Sequence, residues 1–158
     1  MGYINPLFND SRIEKSKLAE TPKPKIKSNN NKRVTRKDKT HNIKFPVSDL
    51  TQMKLKSLCK QAARIYRIEG KQPLSQTKFN TLLLRYGLLN NDILTWNRPY
   101  QDSKVYMHTN LLETEYAEIG GPHGLTVRKN ISDRKVVYHI MNSVLNWLER
   151  GGNLEKII

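Results

Sequence analysis

Residues 40–46 read Thr40, His41, Asn42, Ile43, Lys44, Phe45, Pro46, and the alternation in this short run carries the fold. Successive strand side chains point to opposite faces, so His41, Ile43 and Phe45 share one side and Thr40, Asn42 and Lys44 the other. Pro46 lacks the donor that a ladder requires and ends the strand. Ser48 then caps a predicted helix from about Asp49 to Glu69, with Asp49 at its positive end. Leu55, Leu58, Ala62, Ile65 and Tyr66 recur at helical spacing and predict a buried stripe. Gly70 stops this helix, and Pro73 prevents its continuation. Ser75 caps a second predicted helix, which carries Phe79, Leu82, Leu83 and Tyr86 and ends near Gly87. Residues 39–90 thus read as strand, helix, helix.

A lone strand of this length has no partner for its backbone groups, so a second copy must pair with it. A second chain is the expected source, giving a homodimer in which helices cover the inner face of a two-stranded ribbon. The outer face offers Thr40, Asn42 and Lys44, whose chemistries suit base edges in the major groove of double-stranded DNA. Asn pairs bidentately with adenine, Lys donates to guanine, and Thr bonds or touches a thymine methyl. The start of the second helix, with Ser75, Gln76 and Thr77, presents free N–H groups suited to a phosphate, and Lys71 and Lys78 flank it.

At these residues the segment resembles the Arc/MetJ/CopG superfamily of ribbon-helix-helix DNA-binding proteins. Asn42 to Pro46 is particularly similar to the Arc strand and its exit proline, and by that resemblance Thr40, Asn42 and Lys44 are base readers. The likeness covers about a third of the chain. It departs from the usual pattern at His41, where a larger apolar residue is customary, and at Glu69 to Leu74, where the turn is long. The implied fold class is mainly α with a short β ribbon.

Charge supports a polyanionic partner. The 158 residues carry 28 Lys and Arg against 14 Asp and Glu, a formal net charge of +14 that favours counterion release on binding nucleic acid. Basic residues outnumber acidic ones 11 to 4 over residues 1–39 and 9 to 2 over 40–90, but stand 8 to 8 over 91–158. The excess therefore lies in the first ninety residues. Residues 1–38 read as a disordered basic arm, because the prolines, asparagines and lysines between Thr21 and Arg33 cannot bury enough surface to offset ordering entropy. Such an arm either tracks phosphates along DNA or serves as a solubilising tail, and Met1 to Phe8 is a candidate docking peptide.

After a linker at 91–102, residues 103–152 repeat the order of elements, followed by a tail at 153–158. Lys104 to Thr109 alternates, Leu112, Tyr116 and Ile119 stand at helical spacing, and Gly120 to Gly124 breaks the pattern. Ser132 caps a helix from Asp133 to Arg150, with Val136, Val137, Ile140, Val144, Leu145 and Leu148 on its apolar face. The chain reads as a degenerate tandem, with Lys104, Tyr106 and His108 as a possible second ribbon. A rival reading pairs Val105 to Thr109 with Leu125 to Val127 as a hairpin. The balanced charge of this half favours dimerisation or partner binding over a second strong DNA contact.

Enzyme classes fare poorly. Cys59 stands alone, and His41, His108, His123 and His139 lack ligand spacing, so no metal, cofactor or catalytic residue is expected. No stretch approaches a membrane span and no signal-peptide core is present, which predicts a cytoplasmic protein without membrane contact. Lys-rich and Asn-rich two-module chains of this size are similar to the plasmid relaxosome accessory proteins of the SmpO type. That resemblance implies binding at a transfer origin (oriT) beside a relaxase. A plasmid transcriptional repressor or a copy-number or partition regulator is the alternative, and a protein-interaction adaptor is a third class.

Overall fold

The computed structural model describes Val34, Arg36 and residues 38–158, so the expected basic arm and the Met1 to Phe8 segment lie outside the described residues apart from its last few positions. In chain order the elements are β1 (Thr40–Pro46), α1 (Asp49–Ile68), α2 (Gln76–Leu89), β2 (Tyr106–Leu112), α3 (Glu113–Gly120), α4 (Leu125–Lys129) and α5 (Asp133–Glu149), with 3-10 turns at Asn91–Ile93 and Leu154–Lys156. The protein is mostly helical, with one two-stranded antiparallel sheet.

That sheet corrects the expectation of a strand from a second chain. β1 pairs with β2 of the same chain, placing Asn42 opposite Asn110, Lys44 opposite His108 and Thr40 opposite Leu112. The ladder extends at both ends through Glu113 N–H to the Lys39 carbonyl and Val47 N–H to the Val105 carbonyl, each at 2.9 Å. The physical reason is that Met107, Thr109 and Leu111 alternate inward as Ile43 and Phe45 do, so β2 completes the same buried face. A covalent tether also holds this partner at high effective concentration, an advantage a second chain lacks.

The core lies under the ribbon. Ile43, Phe45, Met107, Thr109 and Leu111 are buried against Phe79, Leu83 and Leu84 of α2 and Val136, Val137, Ile140 and Val144 of α5. Thr109 donates its hydroxyl to the Ile43 carbonyl at 3.0 Å, which satisfies that inward polar group. The long helices exchange strands: α2 packs on β2, α5 packs on β1, and the two pack on each other. Gly87, expected to end the second helix, lies inside it instead. A Cβ there would stand 2.3 Å from Ile140 Cγ2 and 3.0 Å from Val144 Cγ2, so glycine is what lets α2 and α5 approach.

Local signals elsewhere behave as their chemistry dictates. Ser48 accepts from Thr51 N–H and Ser75 from Lys78 N–H, each at 3.2 Å. Gly70 adopts φ 67° directly after the α1 C-cap, a conformation that costs glycine little. The rival hairpin is excluded, because residues 125–129 are helical and β2 pairs with β1 instead. The segment read as a linker packs on α5, with Thr95 N–H donating to Ser143 Oγ at 2.9 Å and Arg98 to Asn142 Oδ1 at 2.9 Å. Ile157, in the segment read as a tail, is buried as well. Among the described residues, no helix is long and apolar enough to cross a membrane.

Candidate nucleic-acid interface

Alternation turns the polar side chains of both strands to one solvent-facing surface. Thr40, Asn42 and Lys44 of β1 are exposed, as are His108, Asn110 and Leu112 of β2. The three β1 residues chosen from sequence therefore stand together on the outer face. Asn110 lies beyond the alternation from Lys104 to Thr109, because β2 continues to Leu112. Its signal was Met107, Thr109 and Leu111 at every second position.

Two of these side chains touch across the strands. His108 Nδ1 and Asn42 Oδ1 lie 2.9 Å apart, a contact that orients the Asn42 amide before any ligand arrives. With its oxygen engaged by a ring N–H, the amide directs its two N–H donors outward. Underneath, Asn80 of α2 donates to the His108 carbonyl at 3.1 Å, and Asn110 N–H donates to Thr81 Oγ1 at 2.9 Å. These contacts satisfy backbone groups on the free edge of β2 and tie α2 to that strand.

The other second-ribbon residues have different surroundings. Lys104 lies before β2 with φ 59°, its N–H bonded to Asp102 Oδ1 at 3.1 Å, so it is not a strand residue. Tyr106 is half-buried at the ribbon end, donates its hydroxyl to Asp102 at 2.8 Å, and lies under Lys44 Nζ at 5.8 Å and the Arg134 guanidinium at 5.1 Å. Both cations are within cation–π range of the same ring. The hydroxyl contact holds Asp102 below its ordinary pKa and raises that of Tyr106.

At the α2 N-terminus, Lys71 and Lys78 both lie over the Tyr66 ring, at 4.9 and 5.8 Å. Helix geometry leaves the first N–H groups of α2 without intrahelical acceptors. Lys71 also meets Glu69 at 2.7 Å, which cancels part of its field and raises its pKa. The Gln76 side chain is directed inward, donating to Asn80 Oδ1 at 2.9 Å, so only its backbone faces a ligand. Ser75 spends its oxygen on the cap.

His41 has a structural place. Its ring stacks on Tyr116 at 3.9 Å with an 8° interplanar angle, and its Nε2 bonds the Glu113 carboxylate. That bond, followed by Lys39, holds Glu113 below the ordinary carboxylate pKa. Tyr116 donates in turn to Asp133 Oδ2 at 2.6 Å, and its own pKa is pushed up to about 12, first by that bond. A stacked aromatic thus supplies the area that an aliphatic residue would have filled.

Pairing changes what the balanced charge of the second half means. Glu113, Glu115 and Glu149 pair with Lys39, Arg85 and Lys54, all bases from the first half. None of the eight Lys and Arg in residues 91–158 forms an ion pair among the described residues. Arg134 and Lys135, in the first turn of α5, therefore stay available at the ribbon end. Among the described residues, no group of three or more His, Cys, Asp and Glu is arranged to hold a metal ion. Compared with family models, curated proteins and solved structures, the chain matches none.

Proposed function

We propose that this protein binds double-stranded DNA by laying the outer face of its β1–β2 ribbon in the major groove, as a tandem ribbon-helix-helix arrangement built within one chain. The observation that carries this reading is the row of exposed Thr40, Asn42, Lys44, His108 and Asn110 on a ribbon whose other face is sealed by core. A two-stranded ribbon fits the major groove, and amide, ammonium and imidazole groups match the donors and acceptors displayed there. Lys71 and Lys78 at α2, and Arg134 and Lys135 at α5, flank the ribbon as backbone contacts that position it without reading sequence.

Because one chain supplies both strands, a monomer suffices for one groove, and further copies would occupy further repeats. The biological role proposed from the resemblance is that of an oriT-binding accessory to a relaxase in plasmid conjugation, with a repressor as the alternative. Mobility shifts on DNA flanking the gene, with random competitor at several salt concentrations, test the binding. The expected result is a specific complex whose affinity falls steeply with salt; binding equal to random DNA would overturn sequence reading. Footprints beside a nick site favour transfer, and footprints over the promoter favour repression. Magnesium-dependent nicking by the purified protein would overturn the non-enzymatic reading.

A further inference from the structure

The outer face of α1 carries charge that neither the ribbon nor the α2 N-terminus uses. After Asp49, every charged residue of α1 is a cation. Lys54 is spent on Glu149, while Lys56, Lys60, Arg64 and Arg67 are exposed and form no ion pair among the described residues. Steps of four, four and three residues keep them on one side of the helix for about 16 Å, at 1.5 Å per residue. Like charges at these spacings weaken a helix, and a face that merely solvates normally mixes signs. Tyr66, in the last turn of α1 on its buried face, lies beneath both Lys71 and Lys78, so the α2 cations stand near the C-terminal end of the helix that carries the stripe.

The other half has no counterpart. α3 follows β2 as α1 follows β1, but it carries Glu113, Glu115 and Glu118 and no base. Its Glu113 and Glu115 are held by Lys39 and Arg85, so α3 offers a polyanion no cation of its own to follow.

We propose that the outer face of α1 is a second phosphate-contacting surface, which follows the backbone of the same DNA duplex beyond the groove filled by the ribbon, on one side only. This rests on the DNA-binding reading above. Nearness to the α2 cluster at the end of the same helix, and the excess of unpaired cations over acids along α1, favour the same duplex over an acidic protein.

The test compares the full chain with a K56Q/K60Q/R64Q variant by hydroxyl-radical footprinting and by salt-dependent anisotropy on long and short duplexes. All three positions are exposed, and circular dichroism checks that the variant folds. The wild type should protect backbone farther on one side of its site than on the other, and the variant should lose that extension. On long DNA its salt slope should flatten by about 2.7, three charges at about 0.9 each, with little change on a duplex only long enough for the ribbon. An unchanged footprint and slope in the variant would overturn the α1 surface alone, as expected if the stripe serves an acidic protein. Failure of the wild type to bind any duplex would overturn the DNA-binding reading together with this one.

Discussion

The two strands occupy equivalent places in one ribbon and differ in chemistry. The pairing register sets Thr40, Asn42 and Lys44 opposite Leu112, Asn110 and His108, with Tyr106 at the ribbon end opposite Pro46. β1 brings a hydroxyl, an amide and an ammonium, whereas β2 sets against them an aliphatic chain, a further amide and an imidazole tied to Asn42, with a phenol tied to Asp102 at the ribbon end. A symmetric dimer presents the same side chains twice; this chain presents two sets. Under the proposed function its target is therefore not a palindrome within one ribbon footprint, and discrimination by β1 depends on the setting that β2 provides.

The largest expected effect tests whether the halves share one core. Leu111→Ala should lower unfolding free energy by about 2–5 kcal/mol, whereas Leu112→Ala, one residue on and facing outward, should stay within about 0.5 kcal/mol. Chemical denaturation measures both. The melting temperature should also be independent of protein concentration, because the ribbon closes within one chain; a concentration-dependent midpoint would restore the two-chain ribbon.

Base reading comes next in size. Asn42→Ala should cost about 1–3 kcal/mol on the specific site and relax preference at one base pair, with equal losses on random DNA arguing against base reading. His108→Ala should relax preference at that same base pair, because it frees the Asn42 amide to rotate. Effects confined to a different base pair would make the two strands independent readers.

A smaller effect compares the two helix starts. Lys78→Ala and Arg134→Ala should each weaken binding to all sequences alike and flatten the salt slope by about one. An effect at Lys78 alone would leave phosphate contact to the first half. The smallest expected effect concerns His139 of α5, buried beside Trp96 and Tyr138 with Nδ1 lacking a partner among the described residues. Burial first, and Lys135 second, lower its pKa. The unfolded chain then takes up the proton first, so stability is full above the ordinary histidine pKa of about 6.5 and declines as pH falls below it. Thermal melts from neutral to mildly acidic pH should show that decline, and His139→Phe should flatten it.

Much of the local structure was legible. The caps at Ser48 and Ser75, the stop at Gly70 and most of the inward faces of α1 and α5 followed from residue type and spacing, with Leu58, Ile65 and Leu148 only half-buried. The outward placement of Thr40, Asn42 and Lys44 followed from the same logic. Gly87 was misread because a glycine that ends a helix and one that admits a neighbouring helix look identical without that neighbour. Asn110 was missed because a strand's last residues are fixed by its partner's length. Ser132 occupies the predicted N-cap position of α5 but makes no side-chain capping bond.

By itself the sequence determined which side chains share a face of each strand and helix, because alternation and helical spacing are properties of the local backbone. Tertiary structure alone decided that β1 meets β2 of its own chain, that α2 and α5 exchange strands, and that carboxylates of the second half neutralise bases of the first. Those outcomes depend on which faces meet, and a repeat of two or of 3.6 residues carries no information about its partner.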